Sequence, residues 1–183
     1  GIYITKKATL NASIYHLYTT DVVERVSVFK DNVTYTTPMN VGTKNKMGFE
    51  LNGKYNPIKW FSVNGDFNYG YFVRNGDFEN QNFDFSGGQW SLKLTTKFKL
   101  TQGIDIEITP NYQSGYKTIQ GKVSGFAFAN AGVRKKLWKG KGVISLGVRD
   151  IFASRIRENF VEEPSFTAYS FAKRGTFITL GFS

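Results

Sequence analysis

Glu50, Asp66, Asp105 and Glu107 are the side chains with which any search for acid–base chemistry in this sequence begins. Such chemistry needs two carboxyls at a set separation, at least one of them with a raised pKa. Here each acid stands singly among amide, hydroxyl and ammonium neighbours. His16 is the single histidine, so no second imidazole can share a metal with it. Cysteine is absent, which removes thiolate metal sites and a disulfide framework. The glycine-lysine run of "WKGKG" does not open a helix, so it reads as a turn and not as a phosphate cradle. The expectation is therefore no enzyme, no metal and no cofactor. The acids line a polar wall.

The elements that carry those residues repeat every two positions. In "WSLKLTTKFKL", Trp90, Leu92, Leu94, Phe98 and Leu100 fall on one parity, and Lys93, Lys97 and Lys99 on the other. The same alternation places Ile104, Ile106 and Ile108 against Asp105 and Glu107, and Leu180 and Phe182 against Thr179 and Gly181. It recurs around 8–14, 47–55, 61–71, 126–134 and 143–149. No window sustains apolar residues at helical spacing. The spacing predicts about eight antiparallel strands, most near the 9–11 residues that a tilted membrane strand needs.

The connections alternate in length. "TKKA", "YNPIKW", "LTQGI" and "WKGKG" are short and rich in Gly, Pro, Asn and Lys, whereas the segments between them are long and polar. Short turns at one end and long loops at the other are the pattern of an up-and-down transmembrane β-barrel. No segment approaches the 18 or so apolar residues of a membrane helix, but strands cross on alternate residues. Leu92, Leu94, Phe98, Ile104, Ile106, Ile108, Leu180 and Phe182 are expected to face lipid, with Thr96 a weak point in the stripe. Lys93, Lys97, Lys99, Glu50, Asp66, Asp105 and Glu107 are expected to face a lumen. Trp60 and Trp138 flank short turns, and Trp90 is placed just after a long loop, so the three are candidates for interfacial aromatic girdles.

The formal charge of +10 is compatible with nucleic acid, anionic lipid or an anionic substrate. A soluble basic β-protein that stacks bases is the weakest of these. Its cations share the polar face with acids, and its apolar face would need a second sheet to cover it. Lys6, Lys7, Lys59, Lys139 and Lys141 gather at the short turns, where they keep the turn ends in water.

Several motifs together resemble the TonB-dependent receptors of the Bacteroidota type. "NVGTKNKMGFELNGKYNPIKWFSVNGDFNY" is similar to a segment with a Gly-Thr loop, a "GxEL" strand and an "NP-KW" turn. "TIQGKVSGFAFANAGVRKKLWKGKGVISLGVRDIFASR" and the final "FITLGFS" resemble later pieces in the same order. The resemblance covers essentially all of residues 1–183. It implies a single segment forming about eight C-terminal strands of a barrel of about 22, with the plug domain and TonB box elsewhere. It also implies a place in the outer membrane, with the C-terminus periplasmic. The implied partners are outer-membrane lipid and lipopolysaccharide, the protein's own plug domain, TonB and a surface lipoprotein. Asp150 of "VRDIF" then stands near the extracellular end of its strand, in an ion pair or a bend. The implied activity is nutrient uptake, of a siderophore, a glycan or a peptide. A non-transporting barrel acting as an anchor or envelope subunit is the alternative.

Two loop stretches are candidates for ligand contact. "FENQNFDF" interleaves rings with amides and contributes Phe78, Asn80, Asn82, Phe83 and Phe85. "YKTIQGK" contributes Tyr116 and Gln120.

Overall fold

The computed structural model describes residues 2–40, 42–78, 81–82, 84–164 and 166–183. Along the chain, β1 (Ile2–Ile4) turns into β2 (Ala8–Thr19). A projecting hairpin, β3 (Val23–Lys30) with β4 (Val33–Asn40), precedes β5 (Thr43–Ile58) and β6 (Phe61–Asn75). The two-residue strands β7 (Asp77–Phe78) and β8 (Gln81–Asn82) lead to β9 (Phe85–Lys99) and β10 (Ile104–Gln113). Then come β11 (Tyr116–Thr118), β12 (Gly121–Val123), β13 (Phe126–Leu137) and β14 (Gly142–Arg149). The last three are β15 (Ile156–Glu163), β16 (Phe166–Lys173) and β17 (Phe177–Phe182). Among the described residues there is no α-helix.

Nine of these form one sheet in the order β1-β2-β5-β6-β9-β10-β13-β14-β17, every neighbouring pair antiparallel. This is an up-and-down meander in which the chain never skips a place. All four short turns lie at one end, and all four long connections leave from the other. β1 and β17 do not pair with each other, so the described sheet is an arc.

The short turns are built by local chemistry. Thr5 Oγ1 accepts from Ala8 N at 2.9 Å, while Thr5 N donates to Ala8 O at 2.7 Å. Gln102 and Gly103 adopt φ of 63° and 72°, which lets the chain reverse in three residues. At the opposite end Asp31 and Asn32, with φ of 52° and 61°, form the positive-φ pair that matches strand twist in a two-residue hairpin.

The meander agrees with the expected run of about eight strands. Counting β1, the meander has nine, and the long polar segments hold four hairpin excursions that alternation alone had left as loops. β11, β12, β15 and β16 form a sheet of their own above the meander, and β3–β4 stands beside it. The central strands β5, β6 and β9 run longer than expected, at 16, 15 and 15 residues, and β9 starts at Phe85. Trp90 is thus five residues inside a strand and does not begin one.

Almost nothing is buried in the manner of a soluble core. Among the described residues the buried apolar ones are Val26, Phe72, Val123 and Ala129, and no large side chain is fully enclosed. Ile14, Leu146, Ile178 and Leu180 stand exposed on the meander, Ile14 at 88%.

Candidate functional site

Register sorts the meander into two faces. On β9, Leu92, Leu94 and Phe98 lie opposite Phe67, Gly65 and Phe61 of β6. Ile106 and Ile108 continue that face on β10, and Leu180 and Phe182 on β17, where they pair with Leu146 and Ile144 of β14. Ile104 lies on it too, opposite Lys135, close to a short turn. Thr96 does not break the stripe, because its hydroxyl donates to Ile108 O at 3.0 Å. Lys135 sends its ammonium to Gln102 O at 2.9 Å.

Aromatic rings mark two levels of this apolar face. Near the short turns Trp60 packs on Phe61 at 6.0 Å and Phe98 at 6.4 Å, and Trp138 meets Phe182 edge-on at 6.2 Å. Towards the loops Trp90 lies 4.4 Å from Tyr112 and 6.0 Å from Phe67, while Tyr69 packs on Phe49. Phe98 and Trp90 stand eight residues apart on β9, which is about 26 Å along a strand.

The opposite face gathers the polar residues. Lys97 pairs with Glu107 at 2.9 Å, and Asp105 lies between Lys99 and Arg134 in the ladder. Asp66 lies between Asn52 and Lys93. Tyr15 lies across the Gly48–Gly70 pair, where a Cβ on either glycine would collide with its ring or hydroxyl. Its hydroxyl donates to Asn68 Oδ1 at 3.3 Å, and Asn68 Nδ2 donates to Glu50 Oε1 at 2.7 Å. The carboxylates are thus interleaved with cations and amides, an arrangement for a hydrated wall.

From mid-strand towards the loop end this face forms a cavity of about 460 Å³ lined by Glu50, Asp66, Lys93, Phe126, Phe128 and Arg155. Phe126 and Phe128 lie 6.1 Å apart, and the Arg155 guanidinium covers both, 4.7 Å from the Phe128 ring. Arg155 is aimed by Asp150. The Asp150 carboxylate, 4% exposed, accepts from Arg155 N at 2.9 Å and Ser154 N at 3.0 Å. Burial pushes its pKa up. The backbone N–H groups of Arg155 and Ser154, the Ser154 hydroxyl and the Arg155 charge more than offset that and hold it below the usual carboxylate range. Asp150 is therefore a turn-former whose φ of 51° bends the chain out of β14. Phe126, Phe128 and Arg155 escaped the sequence reading. The signal was an inverted alternation in "FAFANAG", where the rings take the polar parity and the alanines the other.

The loop candidates fare unevenly. Gln120 is not free for a ligand. It is 9% exposed, its Oε1 accepts from Ser27 N at 2.7 Å, and its Nε2 donates to Ser27 O at 3.0 Å. Tyr116 accepts from Arg157 Nη2 at 3.3 Å. Phe85 belongs to β9, where its ring meets Phe72 edge-on at 5.8 Å and lies under Arg74, which pairs with Glu24 of β3. Phe78 and Asn82 lie in β7 and β8, and Asn80 and Phe83 lie outside the described residues.

The model of a family described as "Outer membrane protein beta-barrel family" matches residues 2–183. No curated protein and no solved structure matches the chain.

Proposed function

Because the chain belongs to the outer membrane protein β-barrel family, we propose that it forms wall and extracellular loops of a TonB-dependent receptor for nutrient uptake. The family places it in the outer membrane. The observation that carries the reading is the uncovered apolar face between two aromatic levels, backed by a charged face. A soluble sheet would have to bury that face. Lipid accepts it, provided that the backbone pairs strand to strand. The charged face then lines the lumen, and the long connections face the outside. A nutrient captured among the loops passes the lumen when TonB displaces the plug. On this reading the chain supplies no catalysis, binds no nucleic acid and ends in the periplasm. Its partners are lipopolysaccharide, the plug, TonB and a surface lipoprotein.

A second reading, a non-transporting anchor, draws on the Gln120–Ser27 and Arg74–Glu24 links that tie the loops together. Growth on single nutrient sources separates the two. A receptor's gene deletion abolishes growth on one siderophore, glycan or peptide source, and deletion of TonB reproduces the loss. Unchanged growth on every source, with a defective envelope, would sink the transporter. Orientation is tested by cysteine labelling, which the absence of native cysteine in this chain keeps clean. Asn32→Cys should react with an impermeant maleimide on intact cells, and Lys139→Cys only after the outer membrane is permeabilised. The reverse pattern would invert the topology.

A further inference from the structure

The cavity of about 460 Å³ on the polar face runs across five strands. Register sets Glu50 of β5 opposite Asn68 of β6, Asn68 opposite Ser91 of β9, Ser91 opposite Gln113 of β10, and Gln113 opposite Phe126 of β13. This row crosses four strand spacings, about 19 Å along the hydrogen-bonding direction. A second row beside it sets Asp66 opposite Lys93 and ends on Phe128. The charges of Asp66 and Lys93 balance as neighbours. The other two charges that line the cavity stand at its opposite ends, the Glu50 carboxylate at one and the Arg155 guanidinium over Phe126 and Phe128 at the other. Asn68 donates to one Glu50 oxygen, and no described residue donates to the second. No described residue accepts from the Arg155 guanidinium, because the rings beneath it cannot. Between the two ends lie the Ser91 hydroxyl and the Gln113 amide.

The charge pattern selects among ligands. A multiply anionic chelate needs an excess of positive charge, and the charges lining this cavity cancel. A neutral sugar needs a bare ring to stack on, and the guanidinium already covers both rings. A long zwitterion needs separated opposite charges with polar groups between them. We propose that this cavity binds short peptides with both termini free. The terminal carboxylate meets the Arg155 fork, whose planar donors suit two parallel hydrogen bonds. The terminal ammonium meets the open oxygen of Glu50. At roughly 3.3 Å per residue, an extended peptide of about five or six residues spans the row. Ser91 and Gln113 each supply both donors and acceptors for its backbone. This names a substrate class for the transporter of the preceding subsection and rests on that reading for its purpose; the recognition of two termini does not.

The test titrates the full-length protein in detergent micelles with the pentapeptide Ala-Ser-Ala-Ser-Ala, read by isothermal titration calorimetry. The same peptide is offered N-acetylated, C-amidated and blocked at both ends. The wild type should bind the free peptide and lose roughly tenfold in affinity with either block. Arg155→Gln should abolish the effect of amidation and keep that of acetylation. Glu50→Gln should do the reverse, and its amide oxygen keeps the acceptor that Asn68 uses. The comparison of the four peptides on the wild type decides the matter alone if a variant fails to fold. Equal affinity for all four, no binding of any, or an amidation effect that survives in Arg155→Gln would overturn the site. Binding of maltopentaose in place of the peptides would overturn the peptide assignment in favour of a glycan. Failure of the transporter reading has a different signature. Terminus-selective binding by the purified protein, with labelled peptide entering gene-deleted cells at the wild-type rate, would leave the site standing and remove its part in uptake.

Discussion

Asp150 shows how one residue can serve a site without lining it. Its carboxylate closes the turn that delivers Arg155 over Phe126 and Phe128. Asp150→Ala leaves two backbone N–H groups without their acceptor, a loss of about 1–3 kcal/mol locally. Limited proteolysis should show faster cutting within residues 150–176, while the barrel itself stays heat-modifiable. The pH dependence follows from the depressed pKa. The contribution is present above the unfolded carboxylate value of about 3.9 and is lost as pH falls through the lower folded value. Protease resistance of this segment should thus be flat from pH 7 to 5 and decline only below about pH 4. A decline centred near pH 6 would assign the effect to another group. Gln120 makes a parallel case. Gln120→Ala unties both bonds to Ser27 and should expose the Asp31–Asn32 turn to protease without affecting assembly.

At the scale of the element, how much was legible depended on what a strand packs against. Each wall strand meets one environment on each face, so Leu94 and Lys97 announce their sides by parity alone. β3 and β4 were hidden because their order comes partly from outside them: Ser27 is held by a glutamine 93 positions away, and Phe29 stacks on Phe166 at 6.1 Å. A sequence window cannot see such partners, although the "DN" turn between two runs rich in Val and Thr was a local hint. On β13 the parity was legible but not the role of its rings, because Phe126 and Phe128 sit on the polar face under Arg155, 27 or more positions away in sequence. The face assignment has a direct check. Leu94 sits opposite Gly65, midway between the aromatic levels, and an arginine on a lipid face there costs about 2–4 kcal/mol. Leu94→Arg should cut the heat-modifiable population sharply, and Lys97→Gln should leave it near wild type. Equal assembly of the two would refute the lipid-facing assignment of β9.

For the whole molecule, the apolar band fixes how the arc must sit. β1 and β17 each pair along one edge only, and an unpaired strand edge in lipid costs several kcal/mol per group. Closure must therefore come from pairing these edges with each other or with further strands. Whichever holds, the proposed reading ties the band thickness to the two aromatic levels. A strand length of about 26 Å tilted by roughly 40° spans about 20 Å across the membrane. That is thin, and on the proposed reading Trp60 and Trp138 belong at one boundary and Trp90 at the other. In vesicles with quenchers at graded depth, the emission removed by Trp60→Phe, Trp90→Phe or Trp138→Phe should be the part most sensitive to shallow quenchers. Emission added by Leu94→Trp should respond best to the deepest. If the Trp90 contribution followed the deep quencher, the band would have to extend further towards the loops than the level of Trp90.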